Sequence, residues 1–97
     1  MILEFTTSLD IGNLGKQRLL FRCLREGDLK GLHLLHGTMH LYSFPSFNVK
    51  KHDMVVVYIR SGDNCTERFR DATCHFFYCG KWLRIWEDQE DTFRIIG

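Results

Sequence analysis

Apolar residues in the first part of the chain follow the two-residue period of β-strands. Between Arg18 and Leu24 one set of alternate positions is entirely apolar and the other is mixed, which predicts a strand with one buried face. Met54 to Ile59 is apolar and β-branched at both sets of positions, which is typical of a central strand covered on both faces. These two patterns predict that the chain is organised around β-structure.

Shorter apolar runs complete this pattern on either side. Residues 2–5 predict an opening strand, and residues 32–35 and 39–44 predict two strands of a hairpin that turns at Gly37. Pro45 ends the second of these runs because proline lacks the backbone N–H that a central strand donates.

The stretch from Thr73 to Ile96 is rich in aromatic residues and predicts several short elements. We expect a strand, a corner at Gly80, a short strand from about Trp82, an acidic turn and a final strand. Residues 65–72 are polar and predict a surface loop that is held by one apolar side chain, Phe69.

Seven or eight short strands separated by turns, without a convincing amphipathic helix, indicate an all-β fold. The interpretation that fits best is a single domain over residues 1–97 with an immunoglobulin-like antiparallel β-sandwich, and a small barrel is the alternative. A hydrophobic content of 44% suits one globular core.

Charge and hydropathy give limited information about partners. The net charge of +1 gives no electrostatic reason to expect tight nucleic-acid or membrane binding. The distribution is uneven, since residues 14–60 carry eight basic and three acidic side chains whereas residues 61–97 carry five and seven. The opening residues do not resemble a secretion signal and no apolar run is long enough to span a membrane, so we expect a cytoplasmic protein.

Candidate catalytic and metal-binding residues are present without the spacing that such sites need. The four cysteines are expected to be free, buried thiols, because no secretion signal accompanies them. Cys74 and His75 are neighbours in a predicted strand and point to opposite faces, which disfavours a nucleophile and base pair. We therefore expect no enzyme activity, no cofactor and no small-molecule substrate. The soft metal ligands match no zinc module; they are His33, His36, His40, Cys74, His75 and Cys79.

A group of short motifs resembles the lamin tail domain family, especially its bacterial and archaeal members. The matching segments run from Leu29 to Ile95, and residues 1–28 fit only as leading strands. The motifs are Leu29-Lys-Gly31-x-x-Leu34, Tyr42-x-Phe44-Pro45, Asp53-x-Val55-x-Val57, Ser61-Gly62, Phe77-Tyr78-x-Gly80, Ile85-Trp86 and Asp91-Thr92-x-x-Ile95. The chain departs from the family pattern at Leu32, Glu87, Asp88 and Glu90.

The resemblance implies an immunoglobulin-like sandwich that serves as an interaction or scaffold module without catalysis. It assigns Trp86 to the core, and we expect its truncation to alanine to cost about 3–5 kcal/mol. The residues predicted to be structural are Phe44, Val55, Val57, Gly80, Trp86 and Asp91.

Two modes of recognition follow from these patterns. The first is a protein partner bound through a surface that contains Tyr42, Lys81 and Trp82, since exposed aromatic residues are typical of interfaces. The alternative is DNA or another nucleic acid, bound through its phosphate backbone. The basic residues expected to make those contacts are Arg18, Arg22, Arg25, Lys30, Lys50 and Lys51.

Overall fold

The computed structural model describes residues 2–85 and 93–97, and this part of the chain is all-β, with ten strands and no helix. In chain order the strands are β1 (Leu3–Leu9), β2 (Arg18–Cys23), β3 (Gly27–Asp28), β4 (His33–His36), β5 (Met39–Ser43), β6 (Asn48–Val49), β7 (Met54–Tyr58), β8 (Cys65–Phe69), β9 (Ala72–Tyr78) and β10 (Phe93–Ile96). The all-β prediction is confirmed. Since β3 and β6 have only two residues each, the strands outnumber the seven or eight predicted.

The largest sheet has five strands in the order β1-β2-β7-β9-β8. Its central position is occupied by β7, which confirms the strand predicted from the apolar run at 54–59. Residues 55–57 are buried without a break, as expected for a strand covered on both faces. The buried positions of β2 alternate, as its sequence pattern predicts.

One pair of neighbours in this sheet, β7 and β9, is parallel. The prediction of a purely antiparallel arrangement is therefore wrong for this sheet. Residues 59–71 connect the two strands and contain β8, which pairs antiparallel with β9 along the sheet edge. Because the chain runs back along this edge before β9 begins, β9 enters the sheet in the direction of β7.

The prediction for residues 65–72 is also wrong, since Cys65–Phe69 forms a strand instead of a loop. Every residue of β8 is exposed, and Phe69 itself is 54% exposed, so it does not hold the segment onto the core. An edge strand exposed in this way needs no apolar alternation, and its sequence therefore resembles that of a loop.

The other strands form two small sheets. The three-stranded sheet has the order β10-β4-β5, and its β4–β5 pair is the predicted hairpin. β3 and β6 form a two-stranded ladder. The first and last strands approach each other where the rings of Phe5 and Phe93 lie 5.6 Å apart.

Side chains from both larger sheets meet in one core. Phe21, Val57 and Phe77 point into it from the five-stranded sheet, and Leu34 and Leu41 enter from the three-stranded sheet. Phe44, Val55 and Val57, which the sequence assigned to the structural framework, are all buried.

The region around the two tryptophans differs in part from its prediction. Residues 81–85 do not form the short strand predicted to begin at Trp82, whereas the predicted final strand is present as β10. Trp86 and Asp91 lie outside the described residues. Within those residues, no helix is long and apolar enough to cross a membrane.

Candidate interaction surface

Residues 79–85 carry Trp82 away from the five-stranded sheet. The pairing of β9 with β7 continues for two more hydrogen bonds, from Cys79 N to Tyr58 O and from Gly80 N to Arg60 O, each 3.0 Å. Gly80 then has a φ of +80°, a left-handed conformation that glycine adopts without a steric penalty. The corner predicted at Gly80 is therefore present, and the chain leaves the sheet there.

Gln17 fixes the segment beyond this corner. Its side chain is fully buried between the β1–β2 loop and residues 81–85. The amide Nε2 donates to the carbonyl of Leu83 at 2.7 Å, and Oε1 accepts from the N–H groups of Gly12 at 3.1 Å and Ile85 at 2.7 Å. Three backbone groups from two distant segments are thus satisfied by one amide, which compensates for the missing strand pairing.

Trp82 projects from this fixed segment and is 55% exposed. Its indole Nε1 donates to Ser61 Oγ at 3.1 Å, so the ring has a defined orientation. The ring also lies against Gly15, where an added Cβ would come within 3.1 Å of Trp82 Cζ3. Leu14, which precedes Gly15 in the chain, is 46% exposed.

The outer face of the five-stranded sheet carries a row of aromatic and cationic side chains beside Trp82. Arg18 on β2 pairs with Tyr58 on β7, which in turn pairs with Tyr78 on β9. The two tyrosine rings are stacked, with centroids 5.2 Å apart and an interplanar angle of 12°. The Arg60 guanidinium carbon lies 5.2 Å from the centroid of Tyr58 and 5.3 Å from that of Tyr78, so it bridges both rings.

Residues 61–62 make this row continuous with Trp82. Ser61 accepts the hydrogen bond from the indole, and Gly62 packs directly onto Tyr78, where a Cβ would lie 2.4 Å from the ring. Here we call the surface formed by Arg18, Tyr58, Arg60, Tyr78 and Trp82 the aromatic–arginine surface.

The two arginines of the aromatic–arginine surface differ in their electrostatic environment. Arg18 donates to Asp10 Oδ2 at 2.6 Å and to the carbonyl of Lys16 at 3.0 Å. Arg60 has no carboxylate partner among the described residues, and its buried Nε has no hydrogen-bond partner there. One positive charge on this surface is therefore neutralised locally, whereas the described residues bring no carboxylate to the other.

Of the three residues predicted for the protein interface, Lys81 and Trp82 are both exposed, and Lys81 Nζ donates to the carbonyl of His40 at 2.9 Å. Tyr42 is half-buried, and its ring packs against those of Phe44 at 5.0 Å and Phe77 at 6.2 Å. Burial raises the pKa of the Tyr42 phenol. Its environment is that of a residue at the margin of the core.

The predicted nucleic-acid contacts are distributed over separate elements. Arg22 and Lys51 line one surface depression of about 220 Å³, whereas Arg18 lies at the opposite end of β2. Arg22 is ion-paired with Glu4 at 2.8 Å. The remaining basic residues predicted to contact nucleic acid are exposed on turns or loops; they are Arg25, Lys30 and Lys50.

A polar cluster of Asp53, Thr66 and His75 lies at one side of the core and was not predicted from the sequence. His75 is buried, with Nε2 2.8 Å from Asp53 Oδ2 and Nδ1 2.9 Å from Thr66 Oγ1. The arrangement fits a His75 tautomer in which Nε2 donates to the carboxylate and Nδ1 accepts from the hydroxyl. Asp53 Oδ2 also accepts from the backbone N–H of Lys50 at 2.9 Å. The cluster thereby connects the turn before β7 to β9 and β8.

The cysteine environments differ from the prediction of four buried thiols. Cys23 is buried, Cys65 is exposed, and Cys74 and Cys79 are intermediate; all four are free. Burial, and then the charge of Asp53, raise the pKa of the Cys23 thiol to about 12. Burial, followed by the nearby Glu67 and Cys65, also raises the pKa of Cys74, which disfavours a reactive thiolate.

Two of the histidines considered as metal ligands, His33 and His40, share one neighbouring hydroxyl group. His33 Nδ1 and His40 Nε2 lie 2.9 and 2.8 Å from the same Ser43 Oγ. Among the described residues, no group of three or more histidine, cysteine or acidic side chains has the geometry to hold a metal ion.

Comparisons of the chain with protein-family models, with curated proteins and with solved structures find no match.

Proposed function

We propose that this protein is a non-catalytic interaction module that binds a protein partner through the aromatic–arginine surface. The observation that carries the proposal is the exposed indole of Trp82 beside the stacked pair Tyr58 and Tyr78, with Arg60 across both rings. Tryptophan, tyrosine and arginine are the residue types that contribute most often to the binding energy of protein interfaces.

The way in which the surface is held also supports this proposal. Gln17 fixes the backbone that follows Trp82, at Leu83 and Ile85, and the hydrogen bond to Ser61 orients the indole. Little conformational entropy is then lost when a partner binds, so more of the contact energy contributes to affinity.

We further propose that the fold is an immunoglobulin-like β-sandwich related to the lamin tail domain. Short strands in two sheets that share one core support this assignment, as do the buried motif residues Phe44, Val55 and Val57. The assignment agrees with a role in recognition, although a fold by itself does not determine function.

Affinity capture from the native cell with three forms of the protein tests the interaction. Trp82→Ala removes the exposed indole, and Phe69→Ala is a matched control because Phe69 is equally exposed on the edge strand β8. We expect the parent and Phe69→Ala to capture the same proteins. The amount of these proteins captured by Trp82→Ala should be several-fold lower. Identical capture by all three forms would contradict the proposal.

The second candidate function is binding to the phosphate backbone of a nucleic acid. The observation in its favour is that Arg22 and Lys51 line the same depression, together with His52. Retention on heparin at low and at moderate salt separates the two functions. A nucleic-acid binder would be retained at low salt, and Lys50→Glu with Lys51→Glu would lower both its affinity and its salt dependence. In a protein-binding module, retention does not depend on Lys50 and Lys51, so the double variant would elute at the same salt concentration as the parent.

A further inference from the structure

We propose that the partner presents an acidic side chain to Arg60, next to an apolar residue that packs on Trp82. This inference rests on the proposed function and specifies the chemistry of the partner. Its basis is a guanidinium that lies over two rings, lacks a carboxylate partner among the described residues and is followed in the chain by Ser61, which bonds the exposed indole of Trp82.

Arg60 is prepared for a carboxylate by its position on the rings. A guanidinium that lies over an aromatic face keeps its in-plane N–H groups available for a bidentate hydrogen bond. The two rings at 5.2 and 5.3 Å also restrict the side chain, so less rotamer entropy is lost on binding. In addition, the buried Nε has no hydrogen-bond partner in the described part of the chain, which leaves the polar side chain incompletely satisfied there.

Arg18 provides an internal comparison on the same row. Its guanidinium carbon lies 5.9 Å from the centroid of Tyr58, yet its charge is already paired with Asp10 at 2.6 Å. Arg60 has the same aromatic support and no acidic partner among the described residues. Lys81, next to Trp82 in the chain, directs its Nζ to the carbonyl of His40 on β5 instead, so Arg60 is the cation that we assign to the partner. The surface thus complements an acidic partner.

The orientation of the tyrosine rings favours a protein over a single-stranded nucleic acid. Bases bind such surfaces by stacking on open aromatic faces. Here the face of Tyr78 is covered by Gly62 and Tyr58, while Tyr58 is covered by Tyr78 and approached by Arg18. The two tyrosines therefore offer a ligand their ring edges and hydroxyl groups beside the Arg60 guanidinium, and these groups suit the side chains of a polypeptide.

The apolar part of the binding segment follows from the surroundings of Trp82. The exposed indole lies against Gly15, and Leu14, the preceding residue in the chain, is also exposed, so this end of the row carries apolar surface. A segment that combines aspartate or glutamate with a nearby aromatic or aliphatic residue matches both parts of this surface.

Selection from a displayed library of random dodecapeptides on the immobilised 97-residue chain provides the test. Counter-selection on Trp82→Ala removes the peptides that also bind this variant. The remaining peptides need the indole for binding. We expect these peptides to combine an acidic residue with a large apolar one. Replacing the acidic residue by its amide should weaken binding about tenfold or more, the usual effect of losing a charge-assisted hydrogen bond. Arg60→Gln should weaken binding of the acidic peptide by a similar factor and should change binding of the amide analogue little.

Arg68→Gln is the matched control, because Arg68 is exposed on β8 and its side chain lies on the opposite face of the sheet from Tyr58 and Tyr78. Equal weakening of the acidic and amide peptides by Arg60→Gln, or enrichment without acidic residues, overturns this inference and leaves the proposed function intact. A selection that yields no Trp82-dependent peptide counts against the proposed function as well. Binding of a single-stranded oligothymidine that requires Arg60 and Tyr78 overturns the choice of a protein partner.

Discussion

Gln17 illustrates how one buried polar residue determines the position of a functional one. Its amide bonds to backbone groups that lie five, 66 and 68 residues away, so the β1–β2 loop and residues 81–85 are held together. Sequence patterns give no indication of this role, because a glutamine before a strand resembles an ordinary surface residue. The position of Trp82 could therefore not be predicted from the sequence, although its exposure was considered.

Replacing Gln17 with leucine should lower the free energy of unfolding by about 2–4 kcal/mol. The substitution leaves two backbone N–H groups and one carbonyl without partners in a buried setting, and each such loss is costly. Urea denaturation measures the effect. Lys16→Leu is the control, since Lys16 is exposed next to Gln17 and should change stability little. If Gln17→Leu unfolds at the same urea concentration as the parent, the role assigned to the amide is wrong.

The thiols should react with alkylating reagents in an order set by their environments. Cys65 is exposed on β8, whereas Cys23 is buried and has a pKa raised to about 12. Because only the thiolate is nucleophilic, we expect iodoacetamide to modify Cys65 first and Cys23 last at neutral pH. Mass mapping of a time course shows the order. Rapid modification of Cys23 in the folded protein would contradict its placement in the core.

The strands whose residues are buried were predicted correctly from their sequences, whereas the exposed strand was not. β2 and β7 carry buried residues in regular patterns, so the period of the apolar positions was sufficient. β8 is exposed throughout and has no such pattern, and the parallel direction of β9 depends on β8. Residues 81–85 contain β-prone residues, but their backbone partners come from a side chain instead of a neighbouring strand.

Alanine substitutions in the segment 81–85 should separate stability from recognition. Ile85 is only 2% exposed and belongs to the core cluster, so Ile85→Ala should cost about 2–5 kcal/mol. Trp82→Ala should cost less than about 1 kcal/mol because more than half of the side chain is exposed. Denaturant unfolding of both variants measures these costs. A larger loss for Trp82→Ala than for Ile85→Ala would show that the indole is mainly structural.

The short ladder of β3 and β6 should contribute an acid-sensitive part of the stability through Asp28. This carboxylate accepts from Lys30 N at 2.9 Å, Ser46 Oγ at 2.8 Å and Phe47 N at 3.0 Å. These hydrogen bonds, led by that from Lys30, lower the pKa of Asp28. Because the folded-state pKa is the lower one, the stabilisation is complete above the unfolded-state value of about 3.9 and is lost as pH falls through the folded-state value.

Unfolding measurements from pH 7 downward test this linkage. Asp28→Asn removes the ionisable group, so its stability should fall less steeply than that of the parent below about pH 5. Asp71→Asn is the control, since Asp71 is exposed in the β8–β9 turn. Parallel pH profiles for the parent and Asp28→Asn would argue against this contribution.

At the scale of the whole molecule, the two faces of the five-stranded sheet have different roles. Val57 and Phe77 point into the shared core, while Tyr58 and Tyr78, at the alternate positions of the same strands, lie on the outer face. Folding of the core therefore also orders the side chains of the outer face, so most of their conformational entropy is lost before a partner binds. A partner that binds the outer face encounters side chains whose positions are already determined.

Site-specific photo-cross-linking in the native cell tests the central claim most directly. A photo-reactive aromatic amino acid is incorporated at position 82 and, in a separate form, at position 69, which is equally exposed on β8. We predict that position 82 yields a discrete cross-linked protein species, that position 69 does not, and that Arg60→Gln reduces the yield at position 82. The same cross-linked species from both positions, or none from position 82, would contradict recognition through the aromatic–arginine surface.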